Sequence, residues 1–334
     1  MTWLNQRSVN LTVQACRRRV CAFLVFATSL ILAVFPALAD DLYVTNSIEG
    51  TVVKIDAAGR KTVIAKGFNK PNGMGFDKAG NLFVSAENSN TVSRITPAGV
   101  VTIFASGLHG PYGVAFDTSG NMFVPNWENG TVSKITPAGN ISTFATGLDE
   151  PSAVTRDKEG NLFVSNEHAN TISKITPAGV VSTYAKGLAN PNGLAFDASG
   201  NLYVANYYNG EVSKITSAGV VTPFLSKQNI PNAVAFDSKG DMYVVIYGDN
   251  KIVKFSTEGK LTDFVTSLSG PWSMVFVPEA KGAAASTIVT STTPASTTTV
   301  RPDPASTIAT RPPPKQAATN STTSAPPAPA AVKP

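Results

Sequence analysis

Six residues follow six prolines at an unbroken step of forty: Asn72, Tyr112, Ser152, Asn192, Asn232 and Trp272. Each begins a short strand, and their amide, hydroxyl and aromatic side chains are candidates to ring one ligand-binding site. No carboxylate stands among the six. A second set varies from unit to unit: Trp127-Glu128, Glu167-His168 and Tyr207-Tyr208. Exposed aromatic rings suit contact with a glycan or a protein. Glu128, Glu167 and His168 are the groups that could move protons if they lean toward the ring. His109 and His168 are the chain's two histidines, and each reads as a surface residue on a loop.

The elements that position these residues repeat with the same step. Prolines fall at 71, 111, 151, 191, 231 and 271, and turn glycines at 80, 120, 160, 200 and 240 keep the period. Within one unit, Leu194 to Phe196 is a short apolar strand and Leu202 to Ala205 a second. Asn209-Gly210 supplies the positive-φ residues of a tight hairpin leading to Val212–Ile215, and Val220 to Phe224 is the last strand. Four strands per forty residues is the arithmetic of a propeller blade. The repeats open on a second strand (Leu42 to Val44) and close on a first strand (Ser273 to Val277). The last strand therefore completes the first blade and leaves no free sheet edge. An all-β, six-bladed β-propeller over residues 40–280 is predicted.

The Asp-x-x-Gly turns (77–80 and its sisters) lack the alternating acids of a calcium loop and read as ordinary turn chemistry. An asparagine ring at the end of the second strand, Asn46, Asn126, Asn166 and Asn206, reads as hairpin structure. Arg156 stands where the other units carry Phe76, Phe116, Phe196, Phe236 and Phe276, and a local salt bridge to Asp157 or Glu159 is expected.

The ends of the chain differ from its middle. Arg17-Arg18-Arg19, an apolar run from Val20 to Phe35 and Ala37-Leu38-Ala39 read as a signal peptide over residues 1–39, cleaved near Ala39-Asp40. The mature protein is then secreted or periplasmic and has no transmembrane span; that apolar run is shorter than the roughly 20 residues a span needs. Both cysteines, Cys16 and Cys21, fall in the leader, so no disulfide or thiolate metal site is expected afterwards. Residues 281–334, rich in Pro, Ser, Thr and Ala, predict a disordered tail, a candidate contact for a cell-wall polymer. These two ends carry a net +4 each against +5 for the whole chain, which leaves the repeats slightly acidic, at −3, and argues against nucleic acid as a partner.

The units PNGLAFDASGNLYVAN (191–206) and VSKITPAG (132–139) resemble NHL-repeat propellers and the streptogramin-lyase-like and gluconolactonase-like propellers beside them. The resemblance covers residues 41–277 and implies the fold; activities differ among these families. The gluconolactonase-like pattern implies a divalent metal, calcium or magnesium, at the post-proline ring, which Asn72, Asn192 and Asn232 match in part; neutral amides alone hold such an ion weakly. The streptogramin-lyase-like pattern implies a histidine base in a Pro-His-Gly setting, and no unit has that sequence. Two functions follow. One is a binding or scaffolding module that grips a protein or glycan through the variable face. The other is a metal-assisted hydrolase or lyase, acting on a lactone, an ester or a C–O bond, built on the post-proline ring.

Overall fold

The computed structural model describes residues 41–277, all within the first of the chain's two units, Met1–Lys281. The predicted leader and tail lie outside the described residues. Six four-stranded antiparallel sheets make six blades, as the repeat requires. Blade 1 is ordered Pro271–Phe276, Leu42–Asn46, Thr51–Ile55, Lys61–Lys66, so the last strand zips against the first (Leu42↔Phe276, Val44↔Met274). Blades 2 to 6 follow in chain order, each running from the channel outward.

Burial explains the residue types. Second strands such as Leu82–Ala86, Met122–Asn126 and Leu202–Asn206 are buried at every position, because each lies in a sheet sandwiched between two others. That is why they read as continuous apolar runs rather than alternating ones. Outer strands are mostly exposed, and one aromatic residue turns inward from each of five of them. It meets the ring of the second strand edge to face, as in Phe83–Phe104 at 4.9 Å and Phe163–Tyr184 at 4.8 Å. The core is therefore a set of seams between blades. One seam joins Phe83, Val92 and Ala105 of blade 2 to Val114, Met122, Val124 and Ile135 of blade 3.

At the axis the inner strands nearly touch. The Gly73 amide donates to the Tyr112 carbonyl at 3.0 Å, and Gly113 to the Ser152 carbonyl at 2.8 Å. A Cβ on Gly73 would lie 2.2 Å from Tyr112 O, so glycine here permits the close approach. Blade 3 departs from its sisters. Pro125 in its second strand has no N–H to give, and its inner strand shortens to Ala115–Phe116.

The Asp-x-x-Gly turns behave as turn chemistry. Asp77 Oδ1 accepts from the amides of Ala79 and Asn81, and Oδ2 from the Asn81 side chain. The expected salt bridge of Arg156 does not form: among the described residues its guanidinium makes no ion pair, and the nearby Glu159 is met by Lys158 instead.

Candidate functional site

The six post-proline residues converge at one end of the axis. Asn72, Tyr112, Ser152, Asn192, Asn232 and Trp272 all line a cavity of about 30 Å³, closed beneath by the small residues that follow them. All but Trp272 are buried. This space holds a water-sized guest, far below the roughly 300 Å³ of an enclosing small-molecule pocket.

A second ring surrounds the first, and it comes from the hairpin tips. Each second strand ends in a buried residue at position 46, 86, 126, 166, 206 or 246. The next residue, at Ser47, Glu87, Trp127, Glu167, Tyr207 and Tyr247, is partly buried over the mouth, and the one after it is exposed. The pleat of the strand carries into the tip, so consecutive side chains point to different sides. The structure thus brings Trp127 and Tyr207 to the mouth while Glu128, His168 and Tyr208 face solvent. Tyr208 is 76% exposed, with its ring edge-on to Tyr207 at a centroid distance of 5.7 Å. His168 Nδ1 lies 2.9 Å from Asp149 Oδ2 on the open surface, and His109 is exposed as well. Glu87, Glu167 and Tyr247 complete the mouth. Their signal was the same forty-residue step; choosing the right tip residue needed the pleat.

The two glutamates change the chemistry of the first ring. Asn72 Nδ2 donates to Glu87 Oε2 at 2.9 Å, while Lys70 pairs with Glu87 Oε1 at 2.7 Å. Glu87 also faces the Tyr112 hydroxyl. Asn192 Nδ2 donates to Glu167 Oε1 at 3.1 Å, and Trp127 Nε1 to Glu167 Oε2 at 3.2 Å. Burial drives the Glu167 carboxyl up to about 7, although hydrogen bonds from Trp127 and Ser152 favour its charge. Glu150 and Glu87 raise it further by like-charge repulsion. Burial raises the Tyr112 and Tyr207 hydroxyls too.

Aromatic rings cover the remainder of the mouth. Trp272 is at the centre, with Tyr247 at 5.4 Å, Tyr112 at 6.2 Å and Tyr207 at 6.4 Å between ring centroids. Trp127 stacks on the far side of Tyr112 at 6.2 Å and 21°. Four partly buried rings, Trp127, Tyr207, Tyr247 and Trp272, therefore cover the mouth, with the buried Tyr112 packed between Trp127 and Trp272.

The asparagine ring of the second strands is structural. Asn126 Nδ2 binds Thr131 and Ser133 across its hairpin, both at 2.9 Å, and its Oδ1 takes the His109 amide. Asn166 and Asn206 repeat the pattern.

A divalent metal, which the gluconolactonase-like resemblance implies, finds an incomplete donor set. Asn72 and Asn232 each carry a buried Oδ1 without a hydrogen-bond partner. Glu87 and Glu167 are already bound to amide and indole donors. Among the described residues no three His, Cys, Asp or Glu side chains group to hold an ion. Two neutral oxygens fall well short of the six or more that calcium takes, so the residues present do not fit the metal and no chemical step is routed through one.

The fold is that of a six-bladed β-propeller with four-stranded antiparallel blades. The chain belongs to the virginiamycin B lyase family, whose sequence profile matches residues 28–289. No curated protein matches it. Among solved structures it is similar to streptogramin B lyase at TM-score 0.59 and 16% identity, over 71% of this chain and 86% of that one. A propeller in the nidogen/laminin complex gives TM-score 0.64 and 18% identity over 71% and 98%. A gluconolactonase-type structure gives 0.55 and 16% over 61% and 80%. These identities show the shared fold alone. Among the described residues no helix is long and apolar enough to cross a membrane.

Proposed function

We propose that this protein is an exported binding module that grips a glycan or a protein through the aromatic mouth of the propeller. The observation that carries this reading is the aromatic cover of Trp127, Tyr207, Tyr247 and Trp272, joined through the buried Tyr112, above a cavity of only about 30 Å³. A platform without a deep pocket suits an extended partner laid across it rather than a small substrate enclosed within it. Rigid aromatic groups lose little conformational freedom on contact, and the flanking Glu87 and Glu167 add hydrogen-bond acceptors. The tail is the spacer that presents this head at a wall polymer.

The reading is tested by tryptophan fluorescence. Trp127 and Trp272 are the tryptophans of the described residues and both lie in the mouth; a Trp3→Phe background silences the third tryptophan of the full chain. Titration with chitohexaose, cellohexaose and muropeptides, and capture of surface proteins in parallel, should give one saturable ligand. Trp272→Ala should weaken that ligand by about tenfold or more, the size expected of a central aromatic anchor. Binding unaffected by Trp272→Ala would refute the mouth as the grip.

A second reading has its own observation. Glu167, drawn up to about 7 beside buried amides, can take and return a proton at neutral pH, as a hydrolase or lyase requires. Turnover of a lactone, an ester or a C–O lyase substrate that Glu167→Gln abolishes would establish it.

A further inference from the structure

Arg94 breaks a pattern that the other five blades keep. The same place on the third strand holds Lys54, Lys134, Lys174, Lys214 and Lys254. Lys54 and Lys254 end on carboxylates, Asp41 at 2.6 Å and Asp241 at 2.7 Å. Lys134, Lys174 and Lys214 lie over the ring paired with them on the second strand, at 6.0, 5.5 and 5.6 Å from its centroid. Arg94 makes no ion pair among the described residues, and its buried Nε has no hydrogen-bond partner. The residue is partly exposed, but a buried N–H left unpaired on its guanidinium is a standing cost that a bound acceptor could relieve.

The guanidinium borders a cavity of about 400 Å³ between blades 2 and 3, at the end of the ring opposite the mouth. Its walls are Phe76, Phe83, Phe104, Phe116, Met122 and Ile135. The other charged groups around it are engaged. Asp77 and Asp117 accept the amides of their own turns and the side chains of Asn81 and Asn121. Lys78 donates to the Thr118 carbonyl. The sister cavity between blades 4 and 5 keeps the rings Phe163, Tyr184 and Phe196 but has Arg156 in the place of Phe76 and adds Glu159, so its lining carries more charge than this one.

We propose that this cavity binds a small organic anion, a carboxylate carried on an aromatic body. The body packs against the phenylalanine rings, and the guanidinium takes the carboxylate in the paired geometry that a lysine cannot offer. The volume falls within the range of small-molecule sites. Asp77 and Asp117 set the limit on the ligand: a second negative charge would face them and is not accommodated.

The test is fluorine NMR on the full chain with fluorophenylacetate, and with fluorophenylacetamide as its neutral twin. Arg94→Lys restores the residue of five sister blades, and an unchanged melting temperature verifies that the fold survives. The acid should bind saturably below about 10 mM, and both the amide and the Arg94→Lys variant should bind about tenfold more weakly or worse. No binding of the acid, equal binding of the amide, or unchanged binding in Arg94→Lys overturns the proposal. So does a probe whose binding Trp272→Ala removes, since that probe sits in the mouth. A retained titration in Trp272→Ala keeps this site separate from the fate of the mouth reading.

Discussion

The indole N–H of Trp127, in blade 3, donates to the carboxylate of Glu167, in blade 4, at 3.2 Å. A fluorophore is thereby hydrogen-bonded to a group that burial moves from its ordinary 4.5 up to about 7. The fluorescence of Trp127 should titrate with a midpoint near 7, and Glu167→Gln should flatten the curve. A midpoint below 5 would contradict the buried carboxyl.

The same shift makes a stability prediction. The folded state holds a proton on Glu167 between about 4.5 and 7 that the unfolded chain releases. The stabilisation this provides is complete below the lower value and is lost as pH rises through the upper one. Denaturant melts should lose on the order of 1–3 kcal/mol across that window from this group. Glu167→Gln should remove that slope, and an equal slope in the variant would place the titration elsewhere.

Two glycines should respond differently to alanine. A Cβ at Gly73 would meet Tyr112 O at 2.2 Å and Gly113 Cα at 2.6 Å, all backbone that cannot swing aside. Gly73→Ala should cost about 1–3 kcal/mol or more, a drop of several degrees in Tm. Gly99 has open space around it and φ +81°, so Gly99→Ala should cost about 1–2 kcal/mol through backbone strain alone. Ala153 and Ala233 occupy the sister positions of Gly73, so the barrier is the local approach and not the blade.

Calcium or magnesium at millimolar concentration, after EDTA, should leave Tm within about a degree. A cation at about 100 times its Kd would add about 2.7 kcal/mol and raise Tm by about 5–10 °C. A rise of that size, lost in Asn72→Ala or Asn232→Ala, would show that the orphaned amide oxygens recruit an ion after all.

Arg156→Phe should stabilise the protein by about 0.5–1.5 kcal/mol. The substitution extends the group of Phe196, Phe236 and Phe276 at the wide end of the channel, and it removes a partly buried cation that has no ion pair among the described residues. A loss of stability would mean that the guanidinium has a role beyond packing.

The mouth was half legible before the structure. Asn72, Tyr112, Ser152, Asn192, Asn232 and Trp272 were found by their step and do line one cavity. Their ring contains no acid, and of the two carboxylates that reach it Glu167 was among the tip residues expected to lean inward, while Glu87 was not singled out. Glu87 and Glu167 come from the tips, 15 and 25 residues from the asparagines they bind. Glu128, His168 and Tyr208 have suitable chemistry but stand one residue too far along the pleat.

By itself the sequence determined the blade, the count of six and the closing strand. Each rests on local rules, a turn every few residues and a fixed step, that act within forty positions. The tertiary structure alone decided which side chains meet at the axis, that Glu167 is desolvated beside Trp127, and that Arg94 lacks the partner its sisters have. Those are contacts between blades, and they exist only when the ring has closed and water has been expelled from its seams.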